Sequence, residues 1–177
     1  MHLIDRLKNT IRDVEGYPKP GIVFKDITPV LADASLVKAV VAEMVARYRD
    51  QRIDAIAAIE ARGFILGSIL AHQLGCSFIP VRKAGRLPFN TRKQKYDLEY
   101  GTAEIEVHSD AVVPGSRVLV HDDLLATGGT AGAAAKLIRN LGGEVTGFSF
   151  LINLSFLPGA ENINKEFGMI PDFMVKY

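Results

Sequence analysis

The residues best suited to chemistry lie in the stretch 118–130, where a short apolar run ends in two acids and then a glycine turn. This order predicts a strand, an acidic end at Asp122 and Asp123, a Thr127-Gly-Gly-Thr130 turn, and a helix over Ala131–Leu141. Glycines before a helix N-terminus let backbone N–H groups crowd around an anion, and the helix dipole favours negative charge there. Carboxylates accept hydrogen bonds from sugar hydroxyls. A ligand with a phosphate and a free diol, such as a ribose 5-phosphate, therefore fits both ends of the stretch.

The acid pair alone leaves two interpretations open, because Asp-Asp followed by Gly-Gly also suits an ordinary solvated turn after a strand. The complete order of apolar run, two acids, two threonines and two glycines favours the binding loop. It is not a Walker loop, because no Gly-Lys-Ser/Thr follows. The chain also contains no Gly-x-Gly-x-x-Gly, which counts against a dinucleotide-binding domain.

Two further charged loops follow predicted strands. Glu60-Ala-Arg-Gly63 follows the apolar run Ala55–Ile59, and Arg82-Lys-Ala-Gly-Arg86 follows Phe78–Val81. An arginine beside a glycine at a strand end is suited to clamp an oxyanion, and a basic cluster can neutralise a leaving group. Taken alone, each loop also fits a solvated surface. Because ligands bind at the carboxyl ends of parallel strands, we expect both loops and the acidic stretch to share one sheet edge.

Hydrophobic periodicity predicts helices that alternate with strands. The expected helices cover the first dozen residues, about 33–50, Gly63–Leu74, Ala131–Leu141 and about Leu157–Phe167. Besides the run before Asp122, the expected strands are Ala55–Ile59, Phe78–Val81, an edge strand at Thr102–Val107, Glu144–Asn153 and Asp172–Val175. Residues 22–29 are expected to be extended or looped, and residues 82–100 show little apolar periodicity. The pattern indicates an α/β fold with a parallel sheet and helices on both faces.

Length and composition favour one globular domain. The chain has 177 residues, of which 48% are hydrophobic and 23% charged. A formal net charge of +1 argues against a broad nucleic-acid surface. The single cysteine cannot form an internal disulfide, and no residue set has zinc-ligand spacing. Since the N-terminus lacks an apolar signal region and no apolar stretch is long enough to span a membrane, we expect a soluble, cytoplasmic protein.

The stretch Val118-Leu-Val-His-Asp-Asp-Leu-Leu-Ala-Thr-Gly-Gly-Thr130 resembles the phosphoribosyl-diphosphate (PRPP) binding signature of type I phosphoribosyltransferases. Its Asp-Asp-Leu-Leu-Ala-Thr-Gly-Gly-Thr form is similar to the adenine phosphoribosyltransferase branch, and the resemblance runs from about Tyr17 to Asn153. It implies a central, mostly parallel sheet flanked by helices, with a small hood and a flexible lid loop. We therefore expect one phosphoribosyltransferase domain over residues 1–177, in which about 1–32 contribute the base-binding hood.

The resemblance also implies how PRPP is held. Asp122 and Asp123 would bind the ribose hydroxyls and help to fix Mg2+, partly through PRPP and water. Mg2+ prefers few carboxylates together with substrate phosphates and waters, which suits this small set of acids. The 5-phosphate would lie against Ala126, Thr127, Gly128, Gly129 and Thr130.

Cations are expected to bind the diphosphate. By resemblance to the family's Arg-Lys-x-Gly-Lys-Leu-Pro segment and its diphosphate loop, they are Arg62, Arg82, Lys83 and Arg86. Two departures stand out: Ala84 replaces a basic residue found in many relatives, and Arg86 replaces the usual lysine. His121 is a third, at a position where relatives usually have an aliphatic residue, and it is assigned no role. In relatives some side chains of this cluster reach a neighbouring subunit's site, so a homodimer is implied.

The lid and the hood supply the remaining implied roles. Tyr96-Asp-Leu-Glu-Tyr-Gly101 resembles the lid, in which Glu99 is the candidate proton donor to the purine N7 and Tyr100 lies beside it. Together with Arg62 these two are the expected catalytic residues.

The segment that is similar to the adenine-receiving hood is Phe24-Lys-Asp-Ile-Thr-Pro29 with the residues before it. Val23 and Lys25 would offer backbone groups to the edge of the base, and Phe24 an apolar wall. A hydrogen-bonding edge discriminates strongly between purines, because a mismatched base leaves buried polar groups unpaired. A packed N-terminal strand is the alternative that these residues leave open.

The function that the resemblance implies is Mg2+-dependent transfer of 5-phosphoribosyl from PRPP to adenine, giving AMP and diphosphate in purine salvage. Two alternatives stay open. A 6-oxopurine enzyme, using hypoxanthine, guanine or xanthine, would keep the signature and change the base pocket. A non-catalytic PRPP-sensing regulator is the other, although no DNA-binding extension or basic arm is visible in the sequence. Neither nucleic acid nor a membrane is expected as a partner.

Overall fold

The computed structural model describes residues 2–97 and 101–177. The chain divides into two compact units, Met1–Arg47 and Tyr48–Tyr177, which are described separately. The expectations of one domain and of a hood over about 1–32 stay predictions. No helix in the described part of the chain has the length and apolar character that crossing a membrane requires.

The first unit combines helices with a two-stranded antiparallel ribbon. Its elements are α1 (Leu3–Thr10), β1 (Arg12–Glu15), β2 (Val23–Asp26), α2 (Thr28–Ala32) and α3 (Ala34–Tyr48). The expected first helix and the helix from about residue 33 are confirmed, and the Asp33 carboxylate caps α3 by accepting from the Leu36 N–H at 3.0 Å. Strand β1 was not predicted because its sequence, Arg-Asp-Val-Glu, has no apolar face. Ion pairs join it to β2, with Lys25 Nζ 2.6 Å from Asp13 Oδ1.

The second unit is built on one mixed sheet. In its described part the strand order is β5-β6-β4-β3-β7-β8-β9. Strands β3, β4, β7, β8 and β9 pair in parallel, whereas β6 is antiparallel to both of its neighbours, β4 and β5. The strands are β3 (Ala55–Ile59), β4 (Ser77–Lys83), β5 (Thr91–Asp97), β6 (Thr102–His108), β7 (Arg117–Leu125), β8 (Glu144–Asn153) and β9 (Asp172–Lys176). The helices are α4 (Arg62–Leu74), α5 (Gly129–Asn140) and α6 (Gly159–Phe167).

The sheet core explains why the central strands could be recognised. All five residues of β3 are buried, which is the continuous apolar pattern of a parallel strand covered on both faces. Helix α4 approaches this strand closely at Gly67, where a Cβ would lie 2.7 Å from Ala58 Cβ and 3.1 Å from His121 Cδ2. Only a residue without a side chain fits between this helix and the sheet without displacement.

The expected edge of the sheet was wrong. The strand predicted at Thr102–Val107 is not an edge strand, because β6 lies between β4 and β5. The edge is β5, which went unrecognised since Thr-Arg-Lys-Gln-Lys-Tyr-Asp lacks apolar alternation. It is held by antiparallel pairing in which Lys93 faces Glu106 and Lys95 faces Glu104. Backbone pairing with β6 therefore holds a strand whose own sequence does not favour one.

We expect Gly67→Ala to lower the free energy of unfolding by about 1–2 kcal/mol. The overlap with Ala58 and His121 costs more than the roughly 1 kcal/mol by which alanine is favoured over glycine within a helix. Urea unfolding of both proteins measures the difference. The matched control is Ser68→Ala, an exposed position on the same helix, which should change stability by less than about 0.5 kcal/mol. A Gly67→Ala protein as stable as the wild type would contradict the close packing.

Candidate active site

Three loops meet at one edge of the sheet. Strands β4, β3 and β7 are parallel neighbours, so their carboxyl ends lie side by side. Arg62 follows β3, and its Nε lies 2.9 Å from Oδ2 of Asp123 in β7. Glu60, also after β3, accepts from the Arg82 guanidinium at the end of β4 at 3.2 Å. The convergence expected from the order of strands is therefore present, and side chains from all three loops are in direct contact.

Arg62 is positioned by the turn between β3 and α4. The peptide bond between Glu60 and Ala61 is cis, and α4 begins at Arg62. At Gly63 the first turn of α4 passes so close to β7 that a Cβ would lie 2.8 Å from Asp122 Oδ1. Glycine at this position therefore allows the guanidinium of Arg62 and the two carboxylates to occupy one small volume.

The two acids are the most perturbed ionisable groups of the site. They lie within β7 rather than after it, and Asp123 is only 3% exposed. Burial and the neighbouring charge of Asp123 raise the pKa of Asp122 well above its ordinary value. Burial also raises the pKa of Asp123, although the Arg62 guanidinium opposes that rise. Donors or cations brought by a ligand would favour the ionised forms, so the pair is suited to bind hydroxyl groups and positive charge.

The glycine turn after β7 has the geometry of an anion site. Gly128 adopts a φ of +84°, which favours glycine, and caps the N-terminus of α5. A cavity of about 80 Å3 lies here and has room for a small anion. Its lining includes Asp122, Leu125, Ala126, Thr127, Gly128, Gly129, Thr130 and Phe150. The expected phosphate-binding residues and one of the acids thus border the same cavity, beside the positive end of a helix dipole.

The basic cluster is organised around Glu60. The Arg82 guanidinium donates to Glu60 Oε2 and also to the carbonyl oxygen of Arg86, the latter at 2.9 Å. The backbone N–H of Lys83 donates to the other oxygen of the Glu60 carboxylate. Lys83 and Arg86 are exposed, while Arg82 is partly buried by these contacts. Arg82 therefore shapes the loop, and the exposed cations at Lys83 and Arg86 face solvent.

Glu106 is a buried acid that sequence reasoning did not single out. It is 1% exposed and accepts from the backbone N–H groups of Arg86 and Leu87, both at 2.8 Å, and from the Thr91 hydroxyl at 3.1 Å. Burial acts to raise its pKa, but these hydrogen bonds and one from Gly85 prevail and lower it. An ionised carboxylate thus holds the basic loop from inside. Its only sequence signal is a glutamate within the alternating pattern of β6.

The residues predicted to bind the base belong to the first unit, whereas those predicted for the lid are not described. Val23, Phe24 and Lys25 form most of β2 in the first unit, where the Phe24 ring packs edge-on against Tyr17 at 5.2 Å between centroids. Val23 is exposed, and Lys25 is buried against Asp13. Glu99 and Tyr100 lie outside the described residues.

A resident metal centre made only of protein ligands is not found in residues 2–97 and 101–177, where no group of three or more His, Cys, Asp or Glu side chains converges. The adjacent carboxylates of Asp122 and Asp123 remain as oxygen donors. Mg2+ binds one or two carboxylates with substrate phosphates and waters, so this donor set fits a cation that arrives with a phosphorylated substrate.

The fold and this site define a class of protein. An acidic strand end that leads through a glycine turn into a helix, on a mostly parallel sheet, is what the sequence resemblance implied. Residues 30–161 match the family described as Phosphoribosyl transferase domain. The fold expected from the sequence is confirmed in this respect, including the flanking helices.

Relatives identify the branch. The adenine phosphoribosyltransferase of Myxococcus xanthus is 50% identical over 164 residues, which are 93% of this chain and 89% of that protein. The crystal structure of adenine phosphoribosyltransferase from Rhodothermus marinus has a TM-score of 0.93 and 45% identity, covering 99% of this chain and 98% of that one. The Saccharomyces cerevisiae enzyme, complexed with an imino-altritol bisphosphate and adenine, has a TM-score of 0.89 and 32% identity, with 98% of each chain covered. The chain therefore belongs to the adenine phosphoribosyltransferase family.

A buried histidine, His121, lies in the core next to the two acids. Its ring is fully buried between β7 and α4, with Nδ1 3.4 Å from Ser149 Oγ, while Nε2 has no partner among the described residues. Burial lowers the pKa of His121 to about 4, because the charged imidazolium would lose its hydration. The His121 side chain is therefore uncharged at neutral pH and packs in the core, but it can gain a proton in acid.

We expect His121 to make the protein less stable in acid. Its pKa of about 4 in the folded state lies below the unfolded value of about 6.5, so the unfolded chain binds the proton first as the pH falls. The free energy of unfolding should lose about 3 kcal/mol from this group between about pH 7 and pH 4. Asp122 and Asp123 oppose this trend, because their raised pKa values favour the folded state at low pH.

His121→Val separates the two contributions. Urea unfolding of both proteins at several pH values should show the variant gaining stability relative to the wild type as the pH falls, by about 3 kcal/mol in total. The acids are unchanged in the variant, so their contribution cancels in the comparison. A stability difference that does not vary with pH would contradict the account of His121.

Proposed function

We propose that this chain transfers the 5-phosphoribosyl group of PRPP to adenine, giving AMP and diphosphate, with the acidic end of β7 and the following turn as its sugar-phosphate site. The observation that carries the proposal is the ion pair between Arg62 and Asp123 beside the glycine turn. A single ligand with a 5-phosphate, two ring hydroxyls and a diphosphate matches the turn, the acids and the cations in that order. Membership of the adenine phosphoribosyltransferase family supports the same reaction.

The phosphate and the hydroxyls are held by different kinds of group. The turn from Ala126 to Thr130 offers backbone N–H groups and two hydroxyls to the 5-phosphate, at the N-terminus of α5. The carboxylates of Asp122 and Asp123 accept hydrogen bonds from the ribose hydroxyls. This arrangement fixes the sugar at two points, so its anomeric carbon is held in one orientation for the reaction.

Arg62 changes partner when substrate arrives. Its Nε lies 2.9 Å from Asp123 Oδ2, and this ion pair offsets part of the cost of burying that carboxylate. Once the ribose hydroxyls donate to Asp123, the guanidinium can turn towards the diphosphate of PRPP and bind it. As the bond to the anomeric carbon breaks, Arg62, Lys83 and Arg86 stabilise the negative charge that develops on the diphosphate. Arg82 contributes by holding the loop that presents the other two.

Adenine attacks the cationic anomeric carbon through N9 as the bond to diphosphate breaks, and no residue acts as a covalent nucleophile. By resemblance to the family, Val23 and Lys25 would supply backbone groups to the base edge and Phe24 an apolar wall. Glu99, with Tyr100 beside it, would accept the N7 proton that adenine loses as N9 forms its new bond, and would return it to N7 in the reverse reaction. Mg2+, held by Asp122 and Asp123 partly through PRPP and water, supplies further positive charge for the diphosphate. A homodimer is part of the proposal, and its support is the resemblance of the basic cluster to that of the family.

Release of diphosphate from PRPP in the presence of adenine, guanine or hypoxanthine tests the proposed reaction. We expect turnover with adenine and at most a small fraction of that rate with the other two bases, because a mismatched edge leaves polar groups unpaired. Removing Mg2+ with a chelator should abolish turnover, and adding it back should restore turnover. Turnover with guanine or hypoxanthine but not with adenine would overturn the proposal, as would binding of PRPP without turnover of any purine.

Asp123→Asn tests the sugar site directly. We expect kcat/KM for PRPP to fall at least about tenfold, since the amide loses both the charge-assisted hydrogen bond to the ribose and the charge that pairs with Arg62. The isosteric change preserves the shape of β7, so the protein should still unfold cooperatively. Asp110→Asn is the matched control, an exposed acid of the same unit, and should retain wild-type kinetics. Unchanged kinetics in Asp123→Asn would argue against the site.

A further inference from the structure

Helix α6 packs against the glycine turn backbone to backbone. A Cβ on Gly159, its first residue, would overlap the carbonyl oxygen of Ala126. From the other side, a Cβ on Gly128 would lie 3.0 Å from the carbonyl oxygen of Gly159. Two glycines therefore face each other where the helix meets the turn, and no side chain separates the two backbones.

The same helix is fastened to α5, the helix that follows the turn. Lys136 Nζ lies 2.6 Å from Glu166 Oε1, and the Arg139 guanidinium lies 4.8 Å from the centre of the Phe167 ring. These contacts join the C-terminal part of α6 to the side of α5. Because α6 touches both the turn and α5, it forms a fixed support behind the site.

One side chain of α6 makes a hydrogen bond to the turn itself. Asn162 Nδ2 donates to the carbonyl oxygen of Thr127 at 2.9 Å. A trans peptide group is planar, with its C=O and N–H pointing in opposite directions. Holding the Thr127 carbonyl towards α6 therefore aims the N–H of Gly128 away from α6. The turn residues Thr127 and Gly128 also line the cavity that borders Asp122 and Phe150.

This peptide group needs an external partner to hold it. Gly128 adopts a φ of +84°, and glycine tolerates positive and negative φ about equally. The Thr127–Gly128 peptide can therefore rotate at little steric cost. If it did, a carbonyl oxygen would replace the N–H group on the side of the turn away from Asn162, and a carbonyl oxygen repels an anion.

We propose that Asn162 is a positioning residue for the reaction, which fixes the Thr127–Gly128 peptide so that its N–H group faces the 5-phosphate of the sugar substrate. The inference rests on the proposed function, because it takes the turn to be the phosphate site. It adds a residue of the C-terminal helix that does not itself contact the substrate and that acts through the backbone of the turn.

Asn162→Ala tests the inference, because it should weaken binding of PRPP without affecting binding of adenine. We expect KM for PRPP and Kd for ribose 5-phosphate, measured by calorimetry, to rise about three- to tenfold, the range of one lost hydrogen bond. The kcat and the KM for adenine at saturating PRPP should not change. Asn162→Gln keeps an amide donor and should recover part of the loss. Asn164→Ala, an exposed asparagine on the same helix, is the matched control and should behave as wild type.

Thr130→Val separates failure of this inference from failure of the proposed function. If Thr130→Val weakens binding of ribose 5-phosphate and Asn162→Ala does not, the role of Asn162 is overturned and the phosphate site stands. If neither variant affects that binding, the turn is not the phosphate site and both proposals fall. An Asn162→Ala protein with KM values for adenine and PRPP raised equally would show general loosening of the fold and would also overturn the inference.

Discussion

The structure depends on two carboxylates at the end of a central strand, buried Asp123 and half-buried Asp122, and on the arginine that pairs with Asp123. Asp122 and Asp123 would each prefer solvent, and their raised pKa values record the cost of keeping them from it. The Arg62 guanidinium, 2.9 Å from Asp123, offsets part of that cost and ties the start of α4 to β7. Glycine at position 63 makes the approach possible. Hydroxyl donors or cations brought by a ligand would favour the ionised forms of both acids.

Around this pair of acids, other side chains bind the backbone of the neighbouring loops. Glu60 and Glu106 accept hydrogen bonds from the N–H groups of the basic loop, and Asn162 donates to a carbonyl of the glycine turn. Ligand-binding loops need such support because their own side chains and N–H groups are directed at the ligand. His121 contributes packing beneath the acids and adds a dependence on pH that an aliphatic residue would not have.

Much of this could be predicted from the sequence, for identifiable reasons. Strand β3 was recognised to the residue because a fully buried parallel strand is a continuous apolar run between polar segments. The turn at 127–130 was recognised because an anion site needs glycines immediately before a helix. Strand β5 was missed because its sequence lacks apolar alternation, so only its backbone pairing with β6 identifies it as a strand. Glu106 and Asn162 were missed for a related reason: each acts on backbone groups that only the folded chain brings near.

The most direct test of the account is a crystal structure of this chain with AMP bound. The account predicts phosphate oxygens within hydrogen-bond distance of the backbone N–H groups of residues 127–130, and ribose hydroxyls on Asp122 and Asp123. Arg62 should have moved away from Asp123, while the hydrogen bond from Asn162 to Thr127 should be retained. A phosphate bound elsewhere, with the pair between Arg62 and Asp123 intact, would contradict it.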